Sequence, residues 1–365
     1  MRPRDAIVFS GCTNPHMRCQ ARANVADPVA PYPPDIATKA QAREHARNSK
    51  HPVFPSIQSK IPAMTKTTRR RFLARSIQGT AALLVPALLP GRVFASEPRR
   101  PFGIQVYAVN QAFESDPAGT FEKLRQIGFT EIECYAAGNL SAREYRRMID
   151  DAGLVCPSTH LDFDPANLEA SFETAHALGA KFAASSSLRS AIDPKASWES
   201  DFSPDEAKRT AELANRIGEA AKRAGLQYAY HNHDYEFADV GEGTSGFDFL
   251  LRETDSELVK FEIDCGWMTF AGRRPEEYLA REPDRFPMLH IKDYLPADTS
   301  AQTQAGRPAM VGAELGRGTV DYRPIFAAAK KAGVQHYFAE QEGPFSRMGQ
   351  LDAAQVAYEY LRSMS

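Results

Sequence analysis

From Pro101 onward, short runs of β-branched and aromatic residues alternate with segments of helical period, and the alternation recurs eight times. The strand candidates are "FGIQVYAV" (102–109), "TEIECY" (130–135), "LVCPSTH" (154–160), "KFAASSS" (181–187), "LQYAYHNH" (226–233), "LVKFEIDC" (258–265), "FPMLHIKD" (286–293) and "HYFAEQE" (336–342). Between them lie helical patterns such as "SAREYRRMIDDAG" and "DEAKRTAELANRIGEAAKRAG", and Gly128, Gly153, Gly179, Gly225 and Gly333 stand where helix C-caps belong. Eight strand–helix units in ~250 residues predict an α/β protein built as a (β/α)8 barrel. An open doubly wound sheet would normally carry a Gly-rich phosphate turn after its first strand, and "QVYAVNQAF" has none.

The N-terminal quarter reads differently. Residues 1–63 hold 9 of the 25 prolines and show no sustained apolar period, so they are expected to be disordered. Met64 stands just before a three-part export signal and is an alternative start. Arg69, Arg70 and Arg71 form the charged region, Ala81–Leu89 the apolar one, and "VFA" a small-residue cleavage site ending at Ala95. The apolar part contains one proline, with a second directly after it, and is too short to cross ~30 Å of hydrocarbon, so no stable membrane anchor is expected. "TRRRFL" resembles the twin-arginine (Tat) export consensus. The expected organisation is therefore an extension over 1–63, a signal peptide over 64–95 and one barrel domain over 96–365, in a protein exported to the periplasm.

Of the 44 basic and 46 acidic residues, 15 and 4 precede Ser96, which leaves a formal charge near −13 on the domain itself. Such a surface repels phosphate backbones and excludes nucleic acid as a partner. Cys134, Cys156 and Cys265 show no CxxC spacing and read as buried small hydrophobes.

In a (β/α)8 barrel chemistry sits at the C-terminal ends of the strands. There this chain places His160 (strand three), His231 and His233 (five), Asp264 (six), His290 (seven) and Glu340 (eight). Alternation along a strand pairs Asp264 with Glu262, His290 with Lys292 and Glu340 with Glu342 on common faces. Two carboxylates and one or two imidazoles converging from four adjacent strands suit Mn²⁺, Mg²⁺, Co²⁺ or Zn²⁺ with positions left open for a substrate.

"GIQVYAV", "YHNHDYEF", "FEIDCGW", "LHIKD", "ELGRGTVDY" and "YFAEQEG" together resemble the xylose isomerase-like barrel superfamily, sugar phosphate isomerase/epimerase type, over 101–363. The resemblance implies a divalent metal held by Glu, Asp, His and Glu from strands five to eight, and Asp264, His290 and Glu340 match three of these. Strand five departs from the pattern: it offers His231, or Glu236 folding back from the loop, and Glu236 is the preferred ligand with His231 as alternate. One of the two proton-moving glutamates of such epimerases is then replaced, which points to His233 and Glu340 as acid–base groups. Lys292 adds positive charge for an enediolate. His160 and His231 are expected to bond substrate hydroxyls, Trp267 to stack on a sugar ring, and Arg317 to hold an anionic group.

The function expected is a metal-dependent sugar isomerase or epimerase acting by proton abstraction beside a carbonyl. A lyase or dehydratase on a keto-sugar, 3-keto-glycoside or inosose shares the same intermediate and is the alternative. A non-catalytic sugar-binding protein and a metal-dependent endonuclease are the readings from other classes, the latter opposed by the charge. The partner in each favoured case is a small-molecule carbohydrate, and a homodimer is the expected assembly.

Overall fold

The computed structural model describes residues 101–135, 140–198, 200–296, 308–342 and 348–364. The extension over 1–63, the export signal over 64–95 and the first residues of the 96–365 domain lie outside that set.

Eight parallel strands close on themselves: β1 (Gly103–Gln105), β2 (Glu131–Cys134), β3 (Val155–His160), β4 (Phe182–Ser185), β5 (Gln227–His231), β6 (Val259–Asp264), β7 (Met288–Ile291) and β8 (His336–Ala339). Each pairs with the next in the chain, and Gly103 of β1 pairs with Phe338 of β8 to complete the ring. Strands buried on both faces read as apolar runs, which is why each of the eight was visible as one. They end earlier than their apolar runs do. After Gln105 the chain tightens into a 3₁₀ turn, Val106–Val109, because the Gln105 side chain accepts the Tyr107 N–H at 3.2 Å.

The helices between strands bury one stripe each, as their period requires. Pro204–Arg223 buries Ala207, Ala211, Leu213, Ala214, Ile217 and Ala221, and is started by the Ser203 hydroxyl on the Glu206 N–H with Pro204 in its first turn. Ala142–Asp151 is started by a capping box between Ser141 and Glu144. The five glycines expected at helix ends all have φ between 69° and 127°. No helix among the described residues is long and apolar enough to cross a membrane.

Inside the barrel the layers differ in chemistry. Glu131 and His336, 2.9 Å apart, sit at the N-terminal end, and above them Phe182, Met288 and Phe338 form an apolar plug with Ala184 and Ala229. Phe338 fits because β1 has a glycine opposite it: a Cβ on Gly103 would lie 2.5 Å from the Phe338 ring. The plug closes the barrel from below, so polar groups above it open only toward the C-terminal mouth. Cys134 and Cys156 place their sulfurs 3.2 Å apart on neighbouring strands, both buried.

Candidate metal and acid–base centre at the barrel mouth

Parallel register decides which side chains meet. His231 is in register with Glu262, and Asp264 with His290. Residues in register share a face, and alternation keeps Glu262 and Asp264 on the same inward face of β6. "YHNH", "FEID" and "LHIK" thus deliver two carboxylates and two imidazoles to one spot, with Lys292 beside them.

Two buried glutamates organise the imidazoles. His231 donates from Nδ1 to Glu262 Oε2 at 3.2 Å, which turns its Nε2 toward Asp264 Oδ2 at 3.8 Å. His290 donates from Nε2 to Glu133 Oε2 at 2.6 Å, which turns its Nδ1 toward Glu340 Oε2 at 2.9 Å. Glu133 is further fixed by the Gln105 amide at 2.8 Å. Each ring therefore has one nitrogen committed to a carboxylate behind it and the other facing the carboxylates of β6 and β8. Fixing one nitrogen in this way sets the tautomer and orients a metal-binding histidine.

Lys292, 1% exposed, carries the countercharge. Its Nζ lies 2.9 Å from Glu340, 3.1 Å from Asp264 and 2.6 Å from Glu342, and 5.1 Å above the Trp267 ring. Burial alone would lower its pKa, but Asp264, Glu340 and Glu342 outweigh burial and hold the ammonium charged. Burial likewise works against the Glu340 carboxylate, and Lys292 and His290 overcome it, keeping Glu340 ionised well below the usual range. Burial, with His290 adding to it, pushes His231 down to about 3, so its imidazole is neutral. For Asp264 burial prevails over Lys292 and lifts the carboxyl to about 6.

The residues expected from sequence fall into two sets. Asp264, His290, Glu340, His231 and Lys292 converge, as do His233 and Trp267 at the rim. Trp267 donates its backbone N–H to Asp264 Oδ1 at 2.8 Å, and its indole Nε1 is shielded without a hydrogen-bond partner among the described residues. His233 Nδ1 is likewise shielded and without a partner among the described residues, and its ring packs 5.8 Å from Trp267. His160 lies in the cluster, yet its Nε2 is taken by Glu262 at 2.8 Å and Glu133 at 3.2 Å instead of facing a substrate hydroxyl. Glu236 stays out of the cluster: its carboxylate accepts from Tyr230 Oη and the His233 N–H, both at 2.9 Å. Arg317 also stays out, exposed in a turn whose Gly316, Gly318 and Val320 N–H groups bond the Asp293 carboxylate.

Glu133 escaped the sequence reading. Its signal was the pair of glutamates two apart inside "TEIECY", since a charge within a buried strand requires partners. A second strand lies far from β5–β8 in the chain, and only ring closure brings Glu133 to His290.

Does the cluster suit a divalent ion? One ligand atom from each of His231, Asp264, His290 and Glu340 lies within 4.8 Å of the others, and all four residues are buried. Asp264 Oδ2 is shielded from solvent and has no hydrogen-bond partner among the described residues, although Lys292 Nζ stands at ion-pair distance. The donor set of two imidazole nitrogens and two carboxylates fits a catalytic divalent metal.

The xylose isomerase-like TIM barrel family model matches residues 121–364. Inosose dehydratase of Lacticaseibacillus casei is 26% identical over 170 residues, which are 44% of this chain and 55% of that protein. The chain thus spans about half the length of the curated relatives it matches. A sugar phosphate isomerase/epimerase from Parabacteroides distasonis superposes with a TM-score of 0.59 at 25% identity, covering 74% of this chain and 96% of the other. A xylose isomerase-like TIM barrel protein from Mycobacterium smegmatis, solved in complex with magnesium, superposes at 0.51 with 19% identity over 73% and 96% and speaks to the fold alone.

Proposed function

Since the chain belongs to the xylose isomerase-like TIM barrel family, we propose that it is a divalent-metal-dependent enzyme that removes a proton beside the carbonyl of a sugar, as an isomerase or epimerase. The observation that carries this reading is the pair of imidazoles, each anchored through one nitrogen by Glu262 or Glu133 and presenting the other to Asp264 and Glu340.

His231, Asp264, His290 and Glu340 would hold the metal, and the metal, when bound, supplies Lewis-acid polarisation of the substrate carbonyl. The remaining work belongs to the chain. His233 is kept neutral by burial, reinforced by the Lys292 ammonium, and its Nδ1, without a partner among the described residues, can accept the proton from the carbon next to the carbonyl. The electron pair moves to the carbonyl oxygen, and the Lys292 ammonium faces the charge that develops there. Glu340, ionised and 2.9 Å from the Lys292 ammonium, is the second proton carrier. Return of the proton to the neighbouring carbon gives isomerisation, and return to the same carbon from the other face gives epimerisation. Trp267 offers a ring face and an indole N–H to the sugar.

A second reading is favoured by the likeness to inosose dehydratases. From the same enediolate, loss of a β-hydroxyl as water yields an unsaturated ketone, with the proton for the leaving hydroxyl supplied by the protonated His233.

The experiment is proton NMR in D₂O of ketoses, 3-keto-glycosides and inososes incubated with the metal-loaded protein. Deuterium entering one carbon identifies the proton that moves, and a vinylic signal marks elimination. Absence of both across the panel, with metal bound, would remove the enzymatic reading and leave a sugar-binding protein.

A further inference from the structure

Away from the polar cluster, the loop after β4 carries Trp198, 48% exposed, at the edge of the mouth. Its indole meets His233 at 5.1 Å and Tyr235 at 6.0 Å, in both cases edge to face. This loop is held with unusual economy by Arg189, which is 3% exposed. The guanidinium donates to the carbonyl of Ser197 at 2.6 Å and of Asp201 at 3.2 Å, one on each side of Trp198. It also bonds both carboxylate oxygens of Glu206, at 2.6 and 3.2 Å, and lies 3.9 Å over the Tyr235 ring. A buried guanidinium satisfied in this way fixes backbone rigidly. What it fixes in place is a half-exposed tryptophan, which contributes little to the core; rigid aromatics offered to solvent are what ligand-binding surfaces use.

A cavity of about 520 Å³ adjoins the loop, lined in part by Asp201, Asp234, Phe237, Phe270, Tyr294 and Thr319. That is within the usual range for a small-molecule pocket. An aromatic path joins it to the polar centre: Trp267, bonded to Asp264, meets Phe270 at 6.0 Å, and Phe270 meets Tyr294 at 5.3 Å. The described lining mixes aromatic faces, two carboxylates and two hydroxyls, with no lysine or arginine. Aromatic faces pack on the C–H faces of a sugar ring, and carboxylates and hydroxyls take its O–H groups.

We propose that Trp198 and this cavity form a subsite for a second, uncharged sugar ring, so that the substrate is a glycoside and not a sugar phosphate. This rests on reading the mouth as a sugar site and adds a second ring to it.

Isothermal titration of the metal-loaded protein with cellobiose, lactose and trehalose, each against the methyl glycoside of its non-reducing ring, tests the proposal. At least one disaccharide is expected to bind about tenfold tighter than its one-ring partner, as one good stacking contact implies. In Trp198→Ala that ratio should fall toward one, and Trp198→Phe should recover most of it. Glucose 6-phosphate should bind no tighter than methyl glucoside. A ratio near one for every pair in the wild type, a ratio that survives in Trp198→Ala, or a preference for the phosphate overturns the subsite. Metal content and solvent exchange measured on the same preparations keep the two claims apart. A protein with no metal and no exchange that still shows the two-ring ratio loses the proposed reaction and keeps the subsite, whereas the reverse result removes only the subsite.

Discussion

Tyr230 and His231 are neighbours on β5, so their side chains leave opposite faces of the barrel wall. Glu236 follows Tyr230 to the outer face, where burial pushes its carboxyl up to about 7 against the opposing hydrogen bonds from His233 and Tyr230. His231 goes inward to Glu262. Sequence could bring both to the end of strand five but could not choose between them, because the choice depends on the sense of one 3₁₀ turn, Tyr235–Phe237. His231→Ala should therefore empty the metal site, and Glu236→Gln should leave it filled. Glu236→Gln should instead change the pH dependence of folding. A carboxyl raised above its unfolded value of about 4.3 stabilises the fold fully below that pH and loses that contribution as pH rises toward 7, on the order of 3 kcal/mol. Urea unfolding at pH 5 and 7.5 should show a smaller decline for the variant than for the wild type; equal declines would contradict the assignment. Lys292 gives a third outcome. Lys292→Met leaves Asp264 and Glu340 buried without their countercharge and should cost about 3 kcal/mol or more in chelator. Added Mn²⁺ should restore more stability to it than to the wild type, which equal unfolding midpoints in chelator would refute.

The helix Cys265–Phe270 shows how an element positions the centre. Asp264 caps it through Oδ1 on the Trp267 N–H, so one carboxylate starts the helix with one oxygen and faces the cluster with the other. The helix also packs directly on β7: a Cβ on Gly266 would fall 2.8 Å from Lys292 Cβ and from the Lys292 carbonyl oxygen. Gly266→Ala should push the two elements apart at a cost of about 1–3 kcal/mol, with metal affinity falling alongside, as read by urea unfolding and metal titration. Full metal affinity in a destabilised variant would show that the packing does not set the site. This six-residue helix and Pro275–Arg281 were not legible beforehand. "CGWMTF" continues the apolar run of β6 without a break, and the turn into helix is made by the Asp264 cap, whose role in the cluster was the more conspicuous reading.

The barrel as a whole was legible because every strand is buried on both faces and every helix on one, which writes two distinct periods into the chain. Convergence at the mouth was legible too, since the fold collects strand ends. The anchoring glutamate on β2 was not, because it depends on a contact across the ring, and the loop held by Arg189 was not, because its backbone carbonyl partners carry no side-chain signature. Export remains a proposal. Residues 64–95 fused to a reporter should be exported, and changing Arg69 and Arg70 to Lys should stop it; unchanged export would exclude the twin-arginine route. The central claim is that four neighbouring strands grip one cation. Elemental analysis of the purified protein and of Asp264→Asn, which can still cap its helix, tests it most directly: about one divalent ion per chain in the former and almost none in the latter is expected, and equal metal content in the two would contradict it.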